Sequence, residues 1–464
     1  MEELLIEPIT QNTILAGRHD KFEWERIKAI PAVINAKDHE VPKILENFGY
    51  PVCTWPVIID EKTVADLEKL SVKMPRLIKR IPELYFKNDE KRIADYYYQG
   101  NEMITQFAML CHSKNIEVGC RLDFTYAKKG FQLLEVNVGS TIGGWQAQAF
   151  EKIVRNYHPE LSDPVTASKY ESRDTQDIYI KFLVDNIVKY LKPTDTEANV
   201  FIGVGRIDNA EIEKTILDFF DELLEKEFAK RGLKGRAYTG RFSSLAIKNG
   251  RLCCGDKVMH GVVAFKMEED EQIPPDVFRA FIMDEVYFPD NLTHGMYEDK
   301  RNLEILRTLA EQKAFSEEDN ALILNYIPWS AAIADRKATY EGKTQSVADI
   351  LRAHKDDMVI KDALGYQGID VFVGKFSSDE EWEKAIQLAF SGTNFLAQEY
   401  NESIDYLAPN REQEWTQHKL VWGSFGFGDD YGGVFVRVSE VKTDVGIINC
   451  ARGALVGLVY ETKK

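Results

Sequence analysis

Two short apolar runs joined by the polar turn 128–130 constrain the fold of this chain most, because polar side chains interrupt both runs at alternate positions. Residues 121–137 read RLDFTYAKKGFQLLEVN. Side chains alternate between the two faces of a β-strand, so the pattern predicts a β-hairpin with one polar and one apolar face. The polar face carries Arg121 and Asp123 on the first run, and Glu135 and Asn137 on the second.

The register of this hairpin decides what the polar face can bind. A turn centred on Lys129 places Asp123 opposite Glu135, and it also makes the two apolar sets face each other. Two carboxylates with Cβ atoms ~5 Å apart repel, or force one to take up a proton, unless a cation lies between them. Carboxylates with the amide oxygen of Asn137 suit Mg²⁺, and Arg121 suits a phosphoryl or carboxylate group. The alternative is a solvent-exposed polar face with a surface Arg–Asp pair.

A second polar motif lies in residues 359–374, which read VIKDALGYQGIDVFVG. The pattern predicts a strand with Lys361 at its end, a loop containing Gly365 and Gly368, and a second strand. Backbone amides of such a loop can approach phosphate oxygens closely, and the lysine adds a positive charge. A Walker motif is absent, and the alternative is a plain hairpin turn.

Single polar residues in other segments are further candidates for a binding site. Lys300 begins a predicted helix in DKRNLEIL, and Arg437 lies in a predicted apolar strand, VFVRVS. Asn449 lies in VGIINC, which we also predict as a strand, where a buried amide needs a partner. The segment IGVGRID at 202–208 lacks the third glycine of a dinucleotide-binding site, so we reject it as one.

Net charge, apolar runs and cysteine spacing argue against a nucleic-acid-binding protein and against a membrane protein. A net charge of −17 and a pI near 5.1 argue against nucleic acid as a partner, because phosphate binding needs a cationic surface. No apolar run approaches the ~20 residues that span a bilayer, and the N-terminus does not resemble a signal peptide. The six cysteines show no CxxC spacing. We therefore expect a cytoplasmic protein with reduced thiols and no membrane partner.

At 464 residues the chain is long enough for two to four lobes. Helical periodicity covers 61–83 and 87–115, and a polar boundary lies at 192–199. A strand, a long amphipathic helix and further strands follow, which suggests a separate α/β lobe. The glycine-rich C-terminal segments from 423 to 460 predict antiparallel strands.

Taken together, these motifs resemble the ATP-grasp superfamily, and specifically the branch containing glutathionylspermidine synthetase and the circularly permuted ATP-grasp ligases. The most specific match is R-x-D, eleven residues, then E-x-N. The resemblance implies that Arg121 clamps phosphate and that Asp123, Glu135 and Asn137 bind magnesium, as two ions.

The resemblance extends to the nucleotide. It implies that Lys300 and Lys361 are the two nucleotide lysines and that Gly365 and Gly368 belong to the lid loop. It also implies that Arg437 meets the transferred phosphate. In FLAQEY, the segment linking the lobes, the residues that would hold adenine and ribose are Gln398, Glu399 and Tyr400.

The implied fold is α/β (α+β), with two α/β lobes that hold ATP between antiparallel sheets. The order is permuted, because the metal-binding hairpin precedes both lysines. On this interpretation residues 1–195 form a helical region plus the hairpin, and 196–298 form an α/β lobe preceding the nucleotide lid. Residues 299–464 form the lid and the C-terminal strands that complete the catalytic lobe.

The function implied by the resemblance is an ATP-dependent carboxylate–amine ligase acting on a small-molecule or peptide acid and an amine. We hypothesise that Ser140 and Thr141, in VGSTIGGW, hold the acid. Two alternatives stay open: an ATP-dependent phosphotransferase, and a non-catalytic nucleotide-binding protein. The identities of the acid and the amine, and the oligomeric state, are also open.

Overall fold

The computed structural model describes residues 28–46, 49–266, 271–365, 368–392, 394–441, 446–450 and 453–463. Up to residue 197, helices surround a long hairpin. The strands there are β1 (Val57–Ile59), β2 (Gly119–Ala127), β3 (Gly130–Val138) and β4 (Tyr170–Glu171). The α-helices there are Glu61–Lys79, Ile81–Leu84, Glu90–Tyr97, Glu102–Ser113, Glu151–Tyr157, Pro159–Ser162 and Thr175–Ile187.

Local signals explain where these helices begin and end. The helix Glu61–Lys79 begins after Asp60, whose side chain accepts a hydrogen bond from the Thr63 amide at 2.8 Å, as expected of an N-cap residue. The predicted helical segment 87–115 is confirmed as two helices. They are separated where Gln99 and Gly100 adopt positive φ values of 51° and 79°, which no continuous helix accommodates.

The middle of the chain forms the predicted strand–helix–strand unit. Its strands are β5 (Ala198–Gly203), β6 (Gly235–Gly240), β7 (Leu245–Lys248), β8 (Arg251–Cys254), β9 (Lys257–Val258) and β10 (Gly261–Ala264). Its helices are Ala210–Ala229, Pro275–Ile282 and His294–Tyr297. Strands β10, β5 and β6 form a parallel sheet in that order, and β7, β8 and β9 form a small antiparallel one.

The last part contains β11 (Ser330–Ala332), β12 (Lys337–Tyr340), β13 (Lys343–Ser346), β14 (Met358–Asp362), β15 (Val371–Val373), β16 (Phe395–Glu399), β17 (Tyr406–Pro409), β18 (Trp415–Phe427), β19 (Asp430–Glu440) and β20 (Leu455–Thr462). Its helices are Asn302–Glu311, Glu317–Tyr326, Val347–Ala353 and Asp379–Ser391. An antiparallel sheet has the order β11-β16-β14-β15. Strands β12 and β13 form a separate hairpin.

The largest sheet joins strands from distant parts of the sequence. Its order is β1-β20-β19-β18-β2-β3, with β17 paired to β18 and β4 paired to β20. One face is apolar: Phe124 lies opposite Trp422, and Trp422 lies opposite Val436, all three buried. Because side chains alternate along each strand, the other face carries the polar residues of the predicted hairpin.

Buried apolar residues form three clusters. The largest extends from Ile30 to Tyr460, a second is confined to 331–397, and a third lies mainly within 201–288. The chain is therefore a mixed α/β structure, as predicted, whereas the exact domain boundaries stay a prediction. None of the helices in the described ranges is both long and apolar enough to cross a membrane.

One predicted strand is wrong. Residues 446–450, which include Asn449, have no strand conformation, and the last strand begins only at Leu455. The apolar pattern of this segment has another cause, since Ile447 and Ile448 line a cleft rather than pair with a neighbouring strand.

Candidate functional site

The hairpin pairs its polar residues as predicted. Asp123 lies opposite Glu135, and Arg121 lies opposite Asn137. The predicted turn centre is wrong, however: Ala127 pairs with Gly130, so the turn has two residues, and Thr125 faces Gln132. A β-bulge beside Asp123, where Leu134 is the extra residue of β3, shifts the register by one. The bulge thereby restores the alignment of the two carboxylates.

A glycine makes room for the polar groups at the centre of this sheet face. Gly423 of β18 lies opposite both Asp123 and Phe435. A Cβ atom on Gly423 would lie 2.4 Å from a ring carbon of Phe435 and 3.1 Å from Cδ of Arg121. The missing side chain allows the Arg121 guanidinium to lie over the Phe435 ring, 5.9 Å from its centroid, in a cation–π contact.

We predict that Gly423→Ala destabilises the protein by about 1–3 kcal/mol, because the added methyl group overpacks this contact. Urea unfolding measures the loss. Gly49→Ala is the control, since its added Cβ has no heavy atom within 4 Å. Equal stability of the two variants would mean that the Phe435 ring relaxes freely, which would contradict a rigid packing of Arg121.

Asp123 is buried between two arginines. It accepts hydrogen bonds from Arg121 Nε at 2.8 Å and Nη2 at 3.1 Å, and Arg437 Nη2 lies 2.6 Å from its other side as an ion pair. Burial, the largest single influence, raises the pKa of Asp123, but the two guanidinium charges together outweigh it and hold that pKa well below its usual range. Asp123 is therefore a permanent anion at neutral pH.

Arg437 is a buried cation whose hydrogen-bond donors are only partly satisfied. It is 9% exposed, and its Nε atom makes no hydrogen bond to any residue in the described ranges. A buried donor without a partner is costly unless a ligand satisfies it. Arg437 lines the same cleft as Asp123, so an anionic ligand is the natural partner of its Nε.

Lys361 reaches the cleft from β14. Its ammonium donates a hydrogen bond to Gln398 Oε1 at 2.6 Å. Burial lowers its pKa from 10.5 to about 8, although the nearby carboxylate of Glu135 opposes the shift. Gln398 is itself 1% exposed, and its amide also donates to the Leu133 carbonyl at 3.3 Å. Gln398 therefore holds the lysine against the hairpin.

Lys300 is held in place by its neighbours. Its Nζ donates to the Gly365 carbonyl at 2.8 Å and lies 3.4 Å from Glu135 Oε2. On either side of it, Asp299 and Arg301 form a buried ion pair at 2.6 Å, and Arg301 also donates to the Tyr96 carbonyl at 2.7 Å. This anchoring directs Lys300 toward the hairpin before the helix Asn302–Glu311 begins.

These groups line one cleft of about 980 Å³, measured with the part open to solvent. Its walls are the polar face of the largest sheet and the antiparallel sheet of β14, β15 and β16. The predicted residues that line it are Asp123, Glu135, Lys300, Lys361, Gly365, Gly368, Gln398, Glu399, Tyr400 and Arg437.

Four predicted residues lie elsewhere. Arg121 and Asn137 lie beside Asp123, where the Asn137 amide donates to the Arg121 carbonyl at 3.3 Å. Ser140 and Thr141 line a second cavity of about 330 Å³. The Ser140 hydroxyl binds the Asp290 carboxylate and accepts from the Ala264 amide at 2.8 Å. It therefore ties the end of β3 to the end of β10.

Lys419 is the main cleft residue that the sequence analysis missed. Its ammonium donates to the Ser403 carbonyl at 2.6 Å and lies 2.6 Å from Asp405 Oδ1. The available signal was its spacing: Lys419 lies two residues before Val421 in β18, so both side chains lie on the same face of the sheet.

The donor chemistry fits a magnesium ion that is shared with a ligand. Asp123 and Glu135 oppose each other, and Asn137 lies next to them, with its amide nitrogen 3.5 Å from Asp123 Oδ2 as a hydrogen-bond donor. The two carboxylates and the amide oxygen of Asn137 are hard donors of the kind that suits Mg²⁺. No cluster of three or more His, Cys, Asp or Glu residues that could hold a metal occurs in the described ranges. Additional oxygen ligands would have to come from phosphate or water.

Comparison with known proteins gives matches among solved structures only. No protein-family model and no curated protein matches the chain. Among solved structures, the chain is similar to one described as "Putative gamma-glutamylcysteine synthetase" from Methylobacillus flagellatus KT. The two share 12% sequence identity, with 82% of this chain and 85% of that chain covered, at a TM-score of 0.39.

Proposed function

We propose that this protein is an ATP-dependent carboxylate–amine ligase, which forms an amide bond through an acyl phosphate and releases ADP and phosphate. The observation that carries the proposal is the convergence of Lys300, Lys361 and Arg437 with the carboxylates of Asp123 and Glu135 on one cleft between the largest sheet and the antiparallel sheet of β14, β15 and β16. This arrangement also agrees with the resemblance to ATP-grasp ligases with a permuted order.

Charge supports a polyanionic ligand. Four cationic side chains surround two carboxylates, so the phosphate end of the cleft is positive before anything binds. The four cations are Arg121, Lys300, Lys361 and Arg437. A triphosphate with its first magnesium ion carries a net negative charge that these groups would balance.

Asp123, Glu135 and Asn137 would hold magnesium, which we expect as two ions in the loaded enzyme. The metal would neutralise charge on the phosphates. The protein groups act alongside it: Lys361 and Arg437 would contact the phosphoryl group, and Arg121 holds Asp123 in place. Prepositioned charges of this kind contribute most of the catalysis in phosphoryl transfer.

The chemistry proceeds in two steps. The substrate carboxylate attacks the γ-phosphorus of ATP, so an O–P bond forms as the bond to ADP breaks. The amine then attacks the acyl carbon, a C–N bond forms, and phosphate leaves with its bonding electron pair while the amine loses a proton to solvent. Neither step needs a protein nucleophile.

The rest of the cleft lining suits a nucleoside. It comprises the apolar side chains of Val359, Val373 and Ile447, with Tyr400, Glu399 and Lys419 as polar groups. We propose that Glu399 and Tyr400 contact ribose and adenine. Gln398, which the sequence analysis grouped with them, has its side chain bound to Lys361 and is better suited to positioning that lysine.

The substrate acid would bind at the second cavity, next to the end of β3. Thr141 is exposed at the second cavity and follows the metal-binding strand closely, whereas the Ser140 hydroxyl is bound to Asp290. We therefore assign the contact with the acid to Thr141 and assign Ser140 the role of fixing the loop.

We predict that nucleotide affinity falls as the pH rises through about 8, the pKa of Lys361 in the free protein. Only the ammonium form attracts phosphate, so binding above that pH must be accompanied by proton uptake. Calorimetry in two buffers of different ionisation enthalpy measures this uptake. Lys361→Arg should bind without the alkaline decline, because arginine stays protonated. A decline of equal size in both proteins would assign it to another group.

A screen of pooled acids and amines for ADP release, followed by mass spectrometry of products, tests the function. Phosphate release that depends on both an acid and an amine supports the ligase. A stable phosphorylated product would identify a phosphotransferase instead, and failure to bind ATP with Mg²⁺ would leave a non-catalytic protein.

A further inference from the structure

The lining of the second cavity differs in chemistry from that of the cleft proposed for ATP. Four aromatic residues contribute to it: Trp145, Tyr179, Phe220 and Phe265. None of the described residues that line this cavity carries a charge, whereas the cleft is lined by both acidic and basic side chains. A buried ionic group without a partner is costly, so the second cavity suits an uncharged group.

The aromatic residues come from separate segments of the chain and pack against each other. The ring centroids of Trp145 and Tyr179 lie 5.0 Å apart, and those of Phe220 and Phe265 lie 5.3 Å apart. The rings of Trp145 and Phe220 also meet edge to face, with centroids 6.1 Å apart. Because these contacts hold the rings in place, the cavity presents a preformed apolar wall to a ligand.

A positively charged ligand group is not favoured here, although aromatic rings can bind cations. Asp290 contacts the wall of the cavity, where it accepts the backbone amide hydrogens of Ser140 at 2.7 Å and of Ala264 at 3.0 Å. The Ser140 hydroxyl also binds its carboxylate. These hydrogen bonds use the carboxylate within the fold, so it does not supply a free counter-charge to an ammonium group.

One guanidinium connects the second cavity with the cleft. Arg121 donates to the Gly143 carbonyl at 3.0 Å, and Gly143 lines the second cavity. The same guanidinium binds Asp123, which lines the cleft. A molecule whose carboxylate reaches the phosphate end of the cleft can therefore place its other end in the second cavity.

We propose that the second cavity sets the specificity of the protein for its acid, and that it selects carboxylic acids whose other end is a short, uncharged aromatic or branched alkyl group. This inference rests on the proposed function, because the carboxylate of that acid is the group that would react with ATP. Apolar contact with the aromatic rings supplies the affinity. The cavity, about 330 Å³ against about 980 Å³ for the cleft, favours a short group.

Calorimetric titration with four acids tests this selectivity without requiring turnover. 3-Phenylpropanoate and 4-methylpentanoate have an apolar end, succinate has a second carboxylate, and 4-aminobutanoate has an ammonium group. The titrations are run with and without Mg²⁺ and a non-hydrolysable ATP analogue. The apolar acids should bind about tenfold more tightly than the charged ones. Equal or tighter binding of either charged acid, or no detectable binding of the apolar acids, would overturn the proposal.

A charge placed in the cavity should change this preference. Phe265 is half-buried, so Phe265→Lys should fold, and its ammonium should weaken binding of 4-methylpentanoate and strengthen binding of succinate, each by about tenfold. Phe278→Lys is the matched control with unchanged affinities, since Phe278 is also half-buried but is not among the described residues that line either cavity. An unchanged order of affinities in Phe265→Lys would contradict the proposal.

A second variant covers the case in which the lysine is not tolerated, as circular dichroism would show. Phe265→Ala only removes apolar contact, so it should weaken binding of the two apolar acids and leave the charged ones unchanged. Equal losses for all four acids, or none, would argue against a specific contact with the acid.

The inference and the proposed function fail separately. Binding of the apolar acids without any acid-dependent release of ADP would support the selectivity of the cavity and remove the ligase function. Release of ADP with succinate or 4-aminobutanoate, but not with the apolar acids, would keep the ligase function and overturn the inference.

Discussion

Lys361→Met is expected to weaken ATP binding by about 10- to 100-fold, because a charge-assisted hydrogen bond contributes about 1.5–3 kcal/mol. The lysine is 7% exposed and faces the cleft between the two sheets, where a phosphate would replace the water that burial has removed. Methionine keeps the length of the side chain without the charge. Calorimetric titration with ATP and Mg²⁺ measures the change.

The control for this experiment is Lys384→Met. Lys384 is 69% exposed and pairs with Glu380 at 2.6 Å on a surface helix, so its loss should leave ATP affinity unchanged. If Lys361→Met binds ATP as tightly as wild type, the phosphate end of the cleft has been assigned to the wrong residue.

The Lys361→Met variant should be at least as stable as wild type at neutral pH. The pKa of Lys361 is lowered from 10.5 to about 8 on folding, so the unfolded chain binds this proton more tightly than the folded chain does. The resulting penalty is fully present below about pH 8 and disappears as the pH rises toward 10.5. Wild type should therefore gain stability relative to Lys361→Met over that range, as urea unfolding can measure.

Asp123→Asn is expected to destabilise the protein by about 3–5 kcal/mol, the usual cost of removing one partner from a buried ion pair. Arg121 and Arg437 would both lose their counter-charge. Because folding lowers the pKa of Asp123, its stabilisation is present above the unfolded value of 3.8 and is lost as the pH falls below it. The difference between wild type and variant should narrow in acid.

Glu135→Gln separates metal binding from stability. Glu135 is 29% exposed, and its ion pair with Lys300 is 3.4 Å long, so the variant should lose less than about 1 kcal/mol. Glu135→Gln and Asp123→Asn should both lose the magnesium dependence of ATP binding. If both variants keep that dependence, these carboxylates do not bind the metal.

Much of the secondary structure could be predicted because it depends on local patterns. The alternation in β2 and β3 predicted the pairing of Asp123 with Glu135, and the helical spacing predicted Glu61–Lys79. The turn centre was wrong, because a compensating bulge at Leu134 leaves the same pairing at the site with a different loop. Alternation alone cannot distinguish these two arrangements.

Local sequence patterns gave a wrong secondary-structure prediction where apolar residues line a cleft instead of pairing in a strand. Ile447 and Ile448 have the composition of a strand but line the cleft without pairing. Lys419 was missed because its role depends on the neighbours of β18 in the sheet. The exposed apolar side of the helix Glu102–Ser113 was likewise not predicted, since periodicity predicts a helix but does not say which face the rest of the protein covers.

The polar hairpin, its facing carboxylates and the lysine, glycine and arginine motifs could be read from the chain alone, because they depend on residues that are neighbours in sequence. The contacts of Lys300, Lys361 and Arg437 with that cleft, the bond from Lys361 to Gln398 and the bond from Ser140 to Asp290 became visible only in the folded protein. They depend on which distant segments are buried together, since that burial decides which polar groups share a low-dielectric cleft. Their pKa values and their unmet hydrogen bonds arise only in that environment.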